Sequence, residues 1–344
     1  PFYIEELINY LNDRGIEPTD VQALTGLDLP TSLHSLILSR IDQLTESQKI
    51  TIKVASVIGR LFRVRWLWGA YPSLGPEPQV KADLNTLDRL DLTPEDQPEP
   101  EPIYIFKHIV TEEVAYESLL TAMRTQFHGN LAHFIEREYP DQVEQQLDLL
   151  AFHYSHSAND DKKREYLLRA GDAAHDADAN DAAIDYYQRL LPLVNGVDCV
   201  EVLLKLGQVL ELVGRWDEVD ALYRRGLAEA QELGDRRAEA RCQSAIGWLL
   251  RKRNQNVEAA QWLAQAQEVF EQLDDQAGLG QTLHFAGAVA TQQGDRDRAR
   301  ELWQQSLEIR RQIGEKAVVA TLLNNLGIVA HLEGNYDEAL EFYD

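Results

Sequence analysis

A period of forty residues governs the second half of the chain. Gly207, Gly247, Gly287 and Gly327 are spaced by forty. Self-similarity at such a period marks an array in which each unit is one supersecondary element stacked on its neighbours. Leu206, Ile246, Ala286 and Leu326 precede the glycines. Val219, Ala259, Ala299 and Ala339 keep the register, as do Leu222, Trp262, Leu302 and Phe342. Gly214, Gly294 and Gly334 mark a turn, with Asn254 in the second slot, and an earlier copy 36 residues back has Gly171, Ala183 and Tyr187. Between these marks apolar residues recur at i, i+3 and i+4, a helical period. Each unit therefore reads as two antiparallel helices, with small residues where backbones approach closely. A helix stop followed by a new start is visible at Gly214-Arg215-Trp216-Asp217 and Gly334-Asn335-Tyr336-Asp337-Glu338.

The stretches Asn324-Asn325-Leu326-Gly327 and Gly334-Asn335-Tyr336-Asp337-Glu338-Ala339-Leu340 resemble the tetratricopeptide repeat in a longer form with an extended second helix. The resemblance covers 162–344 in about five copies, the last incomplete. It implies an α-solenoid with a concave face lined by first helices, and ligand-facing positions at −6, −3, +1 and +4 from the small residue. Those positions are Glu201, Leu204, Gln208 and Glu211; Arg241, Ser244, Trp248 and Arg251; Gln281, His284, Ala288 and Thr291; Thr321, Asn324, Ile328 and His331. Asn324 and Asn325 could hydrogen-bond an extended peptide, and Trp248 offers an apolar contact flanked by Arg241 and Arg251. A protein or peptide partner is expected there; a solvated face with a half-buried Trp is the bland alternative. The mixed charge leaves the sign of the ligand open.

The first half reads as helices with one hairpin. Thr31 or Ser32 can cap a helix carrying Leu33, Leu36, Ile37, Arg40, Ile41 and Leu44 on one face. Thr45-Glu46-Ser47-Gln48 opens a second helix, which Gly59 ends. Helices around 63–71 and 78–91 follow. Residues 91–102 are rich in proline and acid, which excludes helix, and Ile103-Tyr104-Ile105-Phe106 alternates as a strand, for which Leu90-Asp91-Leu92 is the expected partner. Three helices and a two-stranded hairpin make a winged helix over 28–120, with 91–102 as its wing and 121–161 as a helical linker. The predicted fold class is all-α with one small β-hairpin: a winged-helix domain followed by a tetratricopeptide solenoid.

Five motifs occur in order: Pro1-Phe2-Tyr3-Ile4-Glu5-Glu6-Leu7, Leu29-Pro30-Thr31-Ser32-Leu33, Leu38-Ser39-Arg40-Ile41-Asp42, Ala55-Ser56-Val57-Ile58-Gly59-Arg60, and Phe106-Lys107-His108-Ile109-Val110-Thr111-Glu112-Glu113-Val114-Ala115-Tyr116-Glu117-Ser118-Leu119-Leu120. Together they resemble the region downstream of the ATPase core in signal-transduction ATPases with numerous domains. These are the ATPases attached to bacterial adenylate or guanylate cyclases, Ser/Thr kinases or maltose-activator-like regulators. The stretches Leu150-Ala151-Phe152-His153 and Leu167-Leu168-Arg169-Ala170-Gly171-Asp172 resemble their junction into repeats, and 1–27 would be the end of the ATPase helical region. The resemblance implies that His108 contacts the β-phosphate of ADP in an intact parent and that Pro1 packs near adenine. ATP or ADP with Mg²⁺ is expected for that parent, and none for this chain. The chain starts at Pro1 without Met and stops at Asp344 within a repeat, so it is expected to be part of a longer protein.

Composition removes other classes. Acidic residues outnumber basic ones 57 to 33, and residues 1–160 carry 12 Lys and Arg against 25 Asp and Glu. That field repels phosphate, so nucleic acid and anionic membrane are not expected partners. The wing adds Glu95, Asp96, Glu99 and Glu101, the opposite of a DNA reader. Arg60, Arg63 and Arg65 form one basic spot. There is no GxxxxGK[ST] and so no phosphate-cradling loop; no enzymatic activity is expected. Cys199 and Cys242 make neither a disulfide framework nor a metal pair, and read as buried thiols of a cytoplasmic protein. His153 and His156 share a helix face without further metal ligands, while His128 and His133 read as helix surface or interhelix contacts. A stand-alone adaptor is the rival reading, and a DNA-binding regulator a weaker one.

Overall fold

The computed structural model describes residues 2–17, 19, 30, 32–98 and 101–344. Pro1, Thr31 and Glu99 lie outside the described residues. The chain divides into two compact units, 1–169 and 170–344.

The first unit runs α1 (Phe2–Asp13), α2 (Leu33–Asp42), α3 (Glu46–Ile58), β1 (Leu61–Arg63), α4 (Val64–Ala70), α5 (Glu77–Arg89), β2 (Glu95–Gln97), β3 (Ile103–Ile105), α6 (Ile109–Glu117), α7 (Thr121–Glu138) and α8 (Leu147–Ser155). Ser32 and Thr45 cap α2 and α3 in reciprocal boxes with Ser35 and Gln48, each satisfying two orphan backbone groups. The strands form one antiparallel sheet in the order β1-β3-β2. Two details depart from the sequence reading. A third strand, β1, pairs Phe62 with Tyr104; three residues are too few to show a period. The wing strand is 95–97, not 90–92. Asp91 has a left-handed φ of 60° and Leu92 is buried, so the chain turns into the core before pairing begins. From 90–92 the Leu92 carbonyl reaches across, accepting from the Lys107 N–H at 3.2 Å, and the Asp91 carboxylate pairs with the Lys107 ammonium.

Charge and polarity hold this unit at three points. Arg40 is buried and donates to Glu6 on α1 at 2.5 Å, to Asp13 at 2.7 Å and to the Leu90 carbonyl at 2.6 Å, tying α1, α2 and the end of α5 together. Glu136 on α7 accepts from Tyr154, Tyr166 and Lys162; burial raises its pKa, but those donors outweigh burial and hold it below the ordinary value. His128 and His153 are buried with their Nδ1 atoms 2.8 Å apart, and Tyr116 Oη lies 3.0 Å from His128 Nε2. Burial first, then neighbouring imidazoles, push the two down to about 3 and about 4, so both are neutral at pH 7. Among the described residues no group of three or more His, Cys, Asp and Glu could hold a metal ion.

Helix α9 (Asp160–Asp176) carries the boundary between units. The second unit continues with α10 (Asn180–Leu190), α11 (Gly196–Leu212), α12 (Trp216–Leu233), α13 (Arg236–Lys252), α14 (Asn256–Gln272), α15 (Gln276–Gln293), α16 (Arg296–Ile313), α17 (Lys316–Leu332) and α18 (Tyr336–Tyr343). Successive helices from α11 onward pack on one another, a tandem helical solenoid. Each repeat glycine meets the side chain sixteen residues on. A Cβ on Gly171, Gly247, Gly287 or Gly327 would stand 2.5–2.7 Å from Tyr187, Leu263, Trp303 or Tyr343, and closer still to Tyr223 from Gly207. These partners, rather than Leu222 and Trp262, which are half-buried, are the interlocking positions. Gly214, Asn254, Gly294 and Gly334 all take positive φ in the first turn. Gly234, Asp274 and Gly314 do the same in the second, a further forty-residue series. Cys199 and Cys242 are free and buried; burial raises both thiols, Cys242 to about 12, so neither is a ready thiolate. Among the described residues no helix is long and apolar enough to cross a membrane.

Two outcomes follow. Gly287→Leu should cost about 1–3 kcal/mol by overpacking against Trp303, read by urea denaturation, and Trp303→Ala should relieve part of that clash in the double variant. The unfolded chain binds protons at His128 and His153 near pH 6.5 and the folded one does not, so their contribution to stability is full above pH 6.5. It falls as the pH drops toward 4, and a melting series from pH 7 to 4.5 should show a decline that His128→Phe makes shallower.

Candidate functional site: the inner face of the repeats

The first helices present one residue per turn along a common face. On α13 that stripe is Arg241, Ser244, Trp248 and Arg251, at i, i+3, i+7 and i+10. A hollow of about 490 Å³ opens between α11, α13 and α15, lined by Leu204, Gln208, Arg241, Ser244 and Gln281 among the expected positions, and by Arg237, Asp275, Phe285 and Arg310 besides.

Polar ties between repeats shape its walls. Arg241 pairs with Glu201, one repeat earlier, at 2.5 Å, and Arg237 with Asp275 at 3.0 Å. Thr282 donates to Ser244 Oγ at 3.1 Å, so Ser244 is buried floor. Arg310, reaching in from α16, is buried; it pairs with Glu315 and donates to Gln281 Oε1 at 2.8 Å. Next to the hollow, Trp248 stacks on Phe285 with centroids 4.3 Å apart and planes 21° apart. The Arg251 guanidinium lies 4.5 Å from the Trp248 centroid and the Lys252 ammonium 5.1 Å. His284 is pushed down to about 4 by burial, then by Arg310 and Arg251, and is neutral. Glu211 is raised by burial and accepts from Tyr223 at 2.6 Å.

Other expected positions stay apart from the hollow. The hydroxyls of Thr291 and Thr321 turn back to the carbonyls of Gly287 and Ala317 on their own helices. Asn324 is exposed and Asn325 half-buried on α17, and the exposed His331 sits edge-on to Tyr336. Sequence reasoning missed Arg237, Asp275, Phe285 and Arg310. Phe285 adjoins the −3 position and Asp275 is the N-cap of α15, so both carried a signal. Arg310 belongs to a second helix, which a first-helix rule passes over.

In the first unit His108 is the N-cap residue of α6, between β3 and that helix. Its Nε2 lies 3.9 Å from Glu5 Oε1. Lys107 bonds Glu5 at 2.9 Å and also Asp91, and Lys107, ahead of His108, holds Glu5 below its ordinary pKa. The pair His108 and Lys107 thus faces the first turn of α1. Arg63 and Arg65 are answered by Glu101 and Glu138.

Residues 198–272 and 278–344 match the tetratricopeptide repeat family; these spans are tetratricopeptide repeats. No curated protein matches the chain. Among solved structures, a Rap protein complexed with competence and sporulation factor is 16% identical, with a TM-score of 0.53 over 69% of this chain and 69% of that one. BtubC from P. vanneervenii is 19% identical, with a TM-score of 0.47 over 60% of this chain and 87% of its own. A signal transduction ATPase with numerous domains and a tetratricopeptide repeat sensor, from Pyrococcus horikoshii, is 12% identical, with a TM-score of 0.45 over 98% of this chain and 58% of its own. At such identities the likeness to the Rap protein is one of fold.

Removal of the buried Arg310 leaves Glu315 and Gln281 without their donor, so Arg310→Ala should cost about 3 kcal/mol. Arg241→Ala breaks only an exposed pair and should cost under about 1 kcal/mol. Urea denaturation of the two variants separates an arginine that holds the fold from one that does not.

Proposed function

We propose that the chain is the regulatory and scaffolding part of a signal-transduction ATPase. In this reading the repeats dock a protein or peptide, and the first unit relays that event to the nucleotide state of an ATPase module upstream. The docking half rests on one observation: a hollow of about 490 Å³ on the inner face that adjoins the Trp248–Phe285 stack. The Rap protein that shares the fold is complexed with a signalling factor, and we extend that kind of binding to this face.

The relay half rests on the five ordered motifs and on the succession α3-β1-α4-α5-β2-β3, the order of a winged helix. His108 stands at the joint between β3 and α6, against α1, where an imidazole N–H could donate to a phosphate. A relay needs a ligand that binds two states unequally, so docking must favour one arrangement of this joint. We assign the chain itself neither catalysis nor a cofactor. DNA binding is disfavoured, because Arg63, Arg65 and Lys81 are paired with Glu101, Glu138 and Glu77.

Two experiments separate the halves. Trp248→Ala should weaken retention of a peptide or protein ligand under conditions where its lowered melt still leaves it folded, and Asn324→Ala with Asn325→Ala, apart from the hollow, should weaken it less. In a chain that includes the ATPase module, His108→Ala should speed ADP release. An unchanged ADP off-rate would remove the relay and leave an adaptor.

A further inference from the structure

We propose that the inner face around Trp248 takes an acidic peptide segment: an Asp or Glu carboxylate binds Arg251, and an adjoining aromatic or aliphatic side chain lies on Trp248 and Phe285. This rests on the docking reading above and goes further by setting the sign and side-chain type of the ligand.

Three arginines of this face are answered by the chain's own carboxylates: Arg241 by Glu201, Arg237 by Asp275 and Arg310 by Glu315. Arg251 is not. It makes no ion pair among the described residues, and its Nε is buried without a hydrogen-bond acceptor. That Nε is sealed from any ligand as it is from water; what a docking carboxylate would meet is the rest of the half-buried guanidinium, which no carboxylate of the described residues pairs with. The ring beneath keeps the guanidinium in place: its carbon is 4.5 Å from the Trp248 centroid. The charged and titratable neighbours are mixed, with the one acid already taken up. Lys252 stands over the same ring, His284 is neutral, and Glu211, the nearby carboxylate, is engaged by Tyr223, by the Trp248 indole and by the charge of Lys252.

The apolar half of the site is the stacked Trp248–Phe285 pair, half-buried and continuous through Phe285 with the hollow that Leu204 and Ala245 also line. Aromatic ledges beside an arginine are what anchors a peptide side chain with little entropy loss. The chain as a whole carries 57 acidic against 33 basic residues. At a distance that field draws cationic peptides, so an acidic ligand can be retained only by close, directed donors. The two ligand signs therefore make opposite predictions.

The test is to pan a random 12-residue peptide library on the 344-residue chain and resynthesise the enriched peptides. We expect Asp or Glu beside an aromatic or aliphatic residue. Gln in place of that acid should raise Kd about tenfold or more by calorimetry. Arg251→Gln should lose a similar factor, and the Gln peptide should lose nothing further on that variant. Arg251→Lys keeps the charge without the fork and should recover only part; melts of both variants establish that they fold. Enrichment of Lys- or Arg-rich peptides, or equal affinity of the Gln peptide or of Arg251→Gln, overturns the acidic assignment. If Trp248→Ala still releases those peptides, docking on this face stands. If no enriched peptide is released by Trp248→Ala, both readings fall.

Discussion

The second unit depends on one steric interlock repeated along it. In each first helix a glycine admits the side chain sixteen residues later: Tyr187, Tyr223, Leu263, Trp303 or Tyr343. A glycine in a helix interior costs about 0.5–1 kcal/mol relative to Ala. Burying a large side chain in the space so opened, as Tyr187, Tyr223, Leu263 and Trp303 are, returns about 1.5–3 kcal/mol, so the exchange favours the pair. Because both members lie within one repeat, the angle between its two helices is set locally. Stacking then copies that angle from repeat to repeat.

The inner face is a consequence of that copying. Once the first helices lie side by side at a fixed spacing, a residue and its counterpart one repeat away come within reach of each other. Arg241 meets Glu201, Arg237 meets Asp275 and Thr282 meets Ser244. Most of the charge that reaches this face is thereby spent within the chain. What distinguishes the stretch around Trp248 is that Arg251 finds no such carboxylate among the described residues. In the first unit the corresponding organiser is electrostatic: one buried arginine, Arg40, holds three segments through Glu6, Asp13 and the Leu90 carbonyl.

Much of this was legible before any coordinates. The helix pairs, the Gly214–Asn254–Gly294–Gly334 turn series, the caps at Ser32 and Thr45, and the stop at Gly59 follow from local chemistry, and the structure places them where the residues predict. Buried charge was less visible. Glu5 and Glu6 are neighbours in the sequence with nothing to tell them apart, yet Glu6 is buried against Arg40 while Glu5 pairs with Lys107. Of the two readings of His128, helix surface or interhelix contact, the structure takes the second, burying it against His153. Nothing in a helical period states which polar residue will be buried, because that is decided by the partner that arrives from a distant segment.

The sequence by itself determined the period, the all-helical class, the turn positions and the face of each first helix, since these depend on spacing and on backbone preferences within a few residues. The tertiary structure alone decided the third strand, the late start of the wing strand, the sixteen-residue interlock and the Arg40 network. It also decided which inner-face arginines are paired and which is not. Those features depend on distances between residues far apart in the chain, and such distances exist only once the helices have packed.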